Sequence, residues 1–375
     1  MIYLDNAATT RVSRRAIDCA VKFADSAYFN PSASYAPALA VKKELGDAAY
    51  VIASLLGADK NEIFFTSGAT ESNNWAFECG IKNKKGNVVV SAMEHASVYE
   101  SAMRLKSRGA DVRFVPVDKS GRVSEDALLS VIDRNTAFIS VIHCSNETGA
   151  INDIGGLCAA AKSINPRVVF HSDGVQAFCK FAVNLHSLGV DLYSVSAHKV
   201  GGFKGVGALY IRKGFNIPPF IAGGGQQDGH RSGTENVGGI VSFASAASEY
   251  TDKARNFDAR TIRNEFIAKF AGNDSVRVNE TCENSGYIIS LSFEGIRGEV
   301  LAHMAEEHGV LIGLGSACST HVKTNRVLRA MGVPDSFAEG SVRISFSPET
   351  TEHEVMTAAD IILSASKELK EKIHG

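Results

Sequence analysis

The sequence predicts an α/β protein, a doubly wound and mostly parallel sheet followed by a smaller α+β unit. Two features of the pattern carry that reading. From about residue 87 to 212, short β-rich runs alternate with helix-like stretches, the rhythm of βαβ units whose sheet is covered on both faces. After Gly239 this gives way to a long helical stretch and then to mixed strand-like and helix-like runs. A length of 375 residues accommodates both parts, since single domains run to about 100–200 residues.

In chain order, residues 87–91, 111–117, 136–143, 167–172, 191–196 and 206–212 read as strands, with helix-like segments between the first five. Residues 239 to about 272 read as helical, 287–293 as a strand, 299–307 as a helix, 341–345 as a strand, and the chain from about Thr351 as a last helix. The helix from about Val241 would join the two parts. No internal repeat, low-complexity tract or Pro-rich linker separates them, so two closely packed domains with a cleft between them are expected.

Composition narrows the class. Hydrophobic residues make up 45% and charged residues 21%, which excludes collagenous, disordered and disulfide-stapled chains. Lys and Arg total 39 against 41 Asp and Glu, a net charge of −2, and no long basic run marks a nucleic-acid or anionic-membrane binder. The opening Met-Ile-Tyr-Leu-Asp-Asn has no signal-peptide pattern, and no run of about 18 apolar residues occurs, so a cytoplasmic protein without a membrane segment is expected. The seven cysteines are scattered, with no Cys-x-x-Cys pair, and read as free thiols in a reducing compartment.

The most informative stretch is Ser194-Val195-Ser196-Ala197-His198-Lys199, followed by Gly201-Gly202-Phe203-Lys204-Gly205-Val206-Gly207. In extended chain, Ser194, Ser196 and His198 would share one side as a phosphate site, with Lys199 on the other. A lysine desolvated at a strand end is a candidate Schiff-base amine; the bland alternative is a solvated surface lysine. Upstream, Phe64-Phe65-Thr66-Ser67-Gly68-Ala69-Thr70 ends an apolar run and opens a helix, where free N–H groups and the Thr70 hydroxyl can bind an anion or form a plain N-cap.

Asp173, in His171-Ser172-Asp173-Gly174-Val175-Gln176, follows another strand, where open α/β sheets bind ligands. In a pyridoxal phosphate enzyme such a carboxylate keeps the ring nitrogen protonated, and Gln176 could reach the ring's phenolic oxygen. A metal site from His171, Asp173 and His198 is the weaker alternative, and no metal is expected. His95, just past a strand, could lie over a flat ring, move a proton, or cap a helix. Asn146 could bind a ligand or shape a turn. Gly223 to Thr234 reads as a flexible polar loop without the ending of a nucleotide P-loop, and Gly205-Val206-Gly207 precedes a strand where a dinucleotide fingerprint follows one. Cys318, in Gly313-Leu314-Gly315-Ser316-Ala317-Cys318, has surroundings that read as exposed and mobile, as an attacking thiol needs. Arg343, on an apolar strand, could grip a carboxylate or form a salt bridge.

In this order the motifs, with Tyr3 to Thr10 and Asn30-Pro31-Ser32, closely resemble the cysteine desulfurases of the NifS/IscS family, in the class V aminotransferase group. The resemblance covers nearly the whole chain. It implies the fold type I of pyridoxal 5′-phosphate (PLP)-dependent transferases: a large domain, 12–248, with a mostly parallel seven-stranded sheet, and a small α+β domain, 1–11 and 249–375. It implies that Lys199 binds PLP covalently, Asp173 pairs with the ring nitrogen, Gln176 meets the phenolic oxygen and His95 stacks on the ring. Ala69, Thr70, Ser196 and His198 would surround the phosphate, with Thr234 reaching across from the other subunit of a homodimer. Asn146 and Arg343 would bind the substrate carboxylate.

The implied activity converts L-cysteine to L-alanine and leaves a persulfide on Cys318. Its acceptor would be an iron–sulfur scaffold, a tRNA thiolation enzyme or a sulfur carrier. A selenocysteine lyase, a class V aminotransferase and a non-catalytic binding partner are the rival readings. Two departures stand out. Phe203 replaces the proline the family commonly has in Gly-Pro-Lys-Gly, and the chain ends at Gly375 without the longer tail some members use to dock a scaffold, leaving the acceptor open.

Overall fold

The structure is a computed structural model that describes residues 1–279, 283–315 and 325–374. Among these residues, twelve strands form two sheets. β1 (Ile2–Leu4) belongs to the second sheet. The first comprises β2 (Ile63–Thr66), β3 (Asn87–Ser91), β4 (Val112–Val115), β5 (Thr136–Ser140), β6 (Val169–Asp173), β7 (Leu192–Ser196) and β8 (Gly207–Ile211). Their order is β2-β8-β7-β6-β5-β3-β4, and β8 alone runs antiparallel to its neighbours.

Burial on both faces explains the composition of these strands. Val88 and Val90 project into a core with Trp75, Phe77 and Phe138, while Val89 joins Ile52, Ile139, Phe170 and Phe243 on the opposite face. The strands turn polar where this cover ends: Thr66, Ser91, Ser140, Asp173 and Ser196 close β2, β3, β5, β6 and β7. The chain reverses its direction of travel across the sheet between β3 and β5, so a crevice opens beyond their carboxyl ends.

The second sheet has the order β1-β11-β12-β10-β9, formed by β9 (Val276–Val278), β10 (Ile288–Phe293), β11 (Val310–Leu314) and β12 (Ser341–Ser345) with β1. Its core combines Leu4 with Phe266, Leu291, Phe293, Leu301, Ile344 and Ile362. The N-terminal strand therefore crosses to the part of the molecule built from the C-terminal third. The stretch expected as one helix over 239–272 is two, Val237–Ala254 and Ala259–Ala268, because Asp258 caps the second by accepting from Thr261 N. Strand 136–143 ends formally at Ser140, yet Val141 N and His143 N still donate to His171 O and Asp173 O, continuing the pairing toward Asn146. Among the described residues, no helix is long and apolar enough to cross a membrane.

Candidate active site

A cleft of about 990 Å³ lies beyond the polar ends of the first sheet and is closed on its far side by Leu314, Gly315 and Arg343. Ten of the twelve residues singled out in the sequence line it: Ala69, Thr70, His95, Asn146, Asp173, Gln176, Ser196, His198, Lys199 and Arg343.

The helix Ala69–Cys79 starts at Gly68, whose φ of +148° suits glycine, and no side chain among the described residues caps its first N–H groups. A Cβ at Gly207 on β8 would lie 2.7 Å from Gly68 Cα, so glycine there lets the Ser67–Gly68 turn rest on the sheet. Glu71 accepts from Ser67 N at 2.8 Å and pairs with both Arg231 Nε (2.9 Å) and Nη2 (3.1 Å). Gln227 pairs through its amide with Phe65 N (2.6 Å) and O (2.8 Å). The 223–234 loop, expected to be flexible, is thus fastened to the start of the helix Ala69–Cys79.

The strand alternation expected through Lys199 stops at Ser196, because Ala197–Lys199 is a 3-10 turn. Thr10 N donates to His198 O at 2.9 Å and Gly201 N to Thr10 Oγ1 at 2.8 Å, fixing this turn. His198 and Lys199 consequently face the same cleft rather than opposite sides, while Ser194 is buried beneath it against His171 Nε2 at 3.2 Å. His171 also bonds Ser140 Oγ at 2.8 Å inside the sheet, so it does not join Asp173 and His198 at the cleft.

Lys199 Nζ donates to Ala7 O (2.6 Å) and Ala8 O (2.7 Å). Burial, then the like charges of Lys180 and Arg343, bring its pKa from 10.5 to about 7. Asp173 accepts from Asn73 Nδ2 at 2.8 Å and Val175 N at 3.0 Å. Gln176 donates to Ala7 O at 3.0 Å and accepts from Lys180, a lysine brought to about 8 by burial. His95 caps the helix Ala96–Ser107 by accepting from Ser97 N at 3.1 Å. Desolvation holds His95 below the ordinary histidine value and, with Lys199 and Lys204 nearby, takes His198 to about 4.

Arg343 donates to Asn146 O (3.0 Å) and Asp5 Oδ1 (2.8 Å), and its buried Nε has no partner among the described residues. Asn146 Nδ2 donates to Glu147 Oε1 at 2.8 Å. Thr234 is elsewhere in the chain, in a groove of about 480 Å³ lined also by Tyr28, Phe29 and Phe203; Lys204 borders both spaces. Cys318 lies outside the described residues. Gly315, on the near side of that stretch, lines the cleft, and a Cβ on it would lie 2.4 Å from Asn325 Nδ2 on the far side.

Several residues that complete the site carry no motif of their own. Asn73 and Lys180 hydrogen-bond Asp173 and Gln176, and Asp5 to Thr10 touches Arg343, Gln176, Lys199 and the His198 turn. Glu94 is fully buried under the cleft floor, where burial raises its carboxyl to about 8. The signal for Asn73 was helical spacing, one turn beyond Thr70 on the same face. Together these groups can bind an anion at a helix start, hold a cationic ring nitrogen at a buried carboxylate, and offer a neutral amine to an aldehyde.

The class-V aminotransferase family profile matches residues 2–357. A cysteine desulfurase IscS from Methanosarcina thermophila is 34% identical, covering 100% of this chain and 93% of that protein. Another from Dictyoglomus turgidum is 35% identical over 96% of this chain and 93% of its own. The chain belongs to the class-V aminotransferases, among their cysteine desulfurases. Solved structures agree with this placement in the PLP-dependent fold. A NifS-like protein superposes with a TM-score of 0.90 at 34% identity, covering 98% of this chain and 99% of that one. A structure described as SspA in complex with cysteine gives 0.81 at 30% identity, over 94% and 100% of the two chains.

Proposed function

We propose that this enzyme uses pyridoxal 5′-phosphate to convert L-cysteine to L-alanine, keeping the sulfur as a persulfide on Cys318 for a protein acceptor. The observation that carries the reading is Lys199: an amine brought to about 7, in one cleft with a buried carboxylate and an uncapped helix start. That donor set matches PLP group by group. The N–H groups at Ala69 and Thr70, with Ser196 and His198, suit its phosphate; Asp173 its pyridine nitrogen; Gln176 its phenolic oxygen; His95 a ring face; and Lys199 its aldehyde.

When bound, PLP supplies an electron-withdrawing ring that weakens the bonds at the substrate's α and β carbons. Arg343, with Asn146, grips the substrate carboxylate. Lys199, half neutral near pH 7, takes the proton from the substrate's α carbon. The Cys318 thiolate attacks the substrate sulfur, forming an S–S bond as the Cβ–S bond breaks, and reprotonation releases alanine. Cys318 is three residues from Gly315 at the cleft, a span of at most about 11 Å of extended chain.

Residues 12–248 form the large domain in this reading and 1–11 with 249–375 the small one, so the reacting groups come from both. Thr234 completes the phosphate site of a second subunit in a homodimer. The exposed Tyr28 and Tyr35, with Phe29 between them, form an aromatic patch beside its groove that a second copy would cover. A reducing cytoplasm keeps the Cys318 thiol free. The acceptor is a scaffold, tRNA-thiolating enzyme or sulfur carrier.

The test is alanine release from L-cysteine by the PLP-loaded chain, alongside Lys199→Ala and Cys318→Ala. Both variants are expected to lose turnover. Full activity in Cys318→Ala contradicts the desulfurase chemistry and favours a lyase that does not depend on this thiol.

A further inference from the structure

A continuous line of hydrogen bonds runs from Asp173 to His95 through two residues to which the reaction assigns no role. Asn73, fully buried in the helix Ala69–Cys79, sends Nδ2 to Asp173 Oδ2 at 2.8 Å and to Ser97 Oγ at 2.8 Å. Ser97 Oγ lies 2.8 Å from His95 Nδ1. We infer that Asn73 and Ser97 are positioning residues that fix His95 as the Nε2–H tautomer, turning a hydrogen-bond donor toward the cleft.

The direction of every bond follows from what each group can give. An amide nitrogen carries two protons and accepts none, so Asn73 uses one on Asp173 and one on Ser97. Reversing the amide would set its carbonyl against a carboxylate, two acceptors facing each other. Its Oδ1 is buried without a partner among the described residues, the orientation in which both N–H groups are engaged. The Ser97 oxygen accepts from Asn73 and has one proton left, which goes to His95 Nδ1. The Ser97 backbone N–H reaches the same nitrogen at 3.1 Å. A nitrogen receiving two donors carries no proton of its own, so the ring proton of neutral His95 sits on Nε2.

The surroundings of His95 are mixed in charge. Asp173 and Glu147 favour its protonation, Lys199 and Arg326 oppose it, and desolvation outweighs them, leaving the ring neutral near pH 7. The two bonds at Nδ1 act in the same direction, because they exist only while that nitrogen is bare. His95 can therefore donate from Nε2 and cannot accept a proton there. The tautomer stands apart from the desulfurase reading; only the use of that donor during turnover rests on it.

The experiment is histidine ¹⁵N NMR on the full cofactor-free chain, which reports which ring nitrogen is protonated and the midpoint of titration. Wild type is expected to show protonated Nε2 and bare Nδ1 for His95 at neutral pH. Ser97→Ala removes the hydroxyl donor to the neutral form and should raise the midpoint by about 0.7 unit, the equivalent of one ordinary hydrogen bond. Asn73→Leu frees the hydroxyl to turn away and should raise it less, and Ser97→Thr should restore it. A packing role alone would lower thermal stability and leave the midpoint in place. A proton on Nδ1 in wild type, or a midpoint unmoved in Ser97→Ala, overturns the inference. Absence of desulfurase activity in the loaded enzyme leaves this readout intact, so the two failures are distinguishable.

Discussion

In the proposed reaction the chemistry turns on the amine of Lys199, and its acidity can be measured before any substrate is added. A solvated lysine at 10.5 is neutral in only about one molecule in a thousand near pH 7.4, whereas burial beside Lys180 and Arg343 leaves Lys199, at about 7, mostly neutral. The shift of roughly 3.5 units makes its nucleophilic form about a thousandfold more abundant at that pH. Stopped-flow absorbance of PLP binding to the cofactor-free chain, across a pH series, reads this directly. The rate should rise through an inflection near pH 7 and then level off, and Lys199→Ala should lose the covalent phase. Lys180→Met removes the like charge that acts most strongly on Lys199 and should move the inflection upward. A rate that keeps climbing toward pH 10 would refute the desolvated-amine argument.

Further predictions concern the start of the helix Ala69–Cys79. Gly207→Ala places a methyl 2.7 Å from Gly68 Cα and should destabilise the fold by about 1–3 kcal/mol while weakening PLP retention, as thermal unfolding and cofactor titration would show; unchanged values would mean that the turn has room to move. Burial alone would raise the Glu71 carboxyl, but the bonds from Arg231 and Ser67 outweigh it and hold it below the ordinary range. A lowered carboxyl stabilises the fold above about pH 4.5 and loses that contribution as pH falls through its folded value. Arg231→Met should therefore cost about 2 kcal/mol at neutral pH, and the gap to wild type should narrow on acidification; a pH-independent gap would contradict this.

The parts of the fold legible in sequence were those whose pattern is local. Strands 87–91 and 341–345 have the expected limits because a Val run in the first, and Val342 and Ile344 flanking Arg343 in the second, meet polar ends there. β1 and β9 are three residues each and exist through pairing with distant segments, β1 with Val310–Ile312, which no local window shows. At the site, side chains bonded to a ligand-facing element were found through motifs at strand ends. Residues that act through another side chain were not: Asn73, Lys180 and Asp5 read as an ordinary helix asparagine, a loop lysine and an N-terminal acid until the fold brings them to Asp173, Gln176 and Arg343. Lys199 departs from the expected orientation because period-two alternation does not continue into a turn that Thr10, 189 residues earlier, holds in place.

In the proposed reaction sulfur leaves cysteine for one thiol of this chain, prompted by one lysine. Mass spectrometry of the PLP-loaded protein after a single equivalent of L-cysteine, without reductant or acceptor, tests it. The account predicts the mass of one extra sulfur atom on the peptide that contains Cys318, matched by one equivalent of alanine. Alanine formed with that peptide unmodified, or the extra sulfur found on Cys144, Cys158 or Cys179, would contradict it.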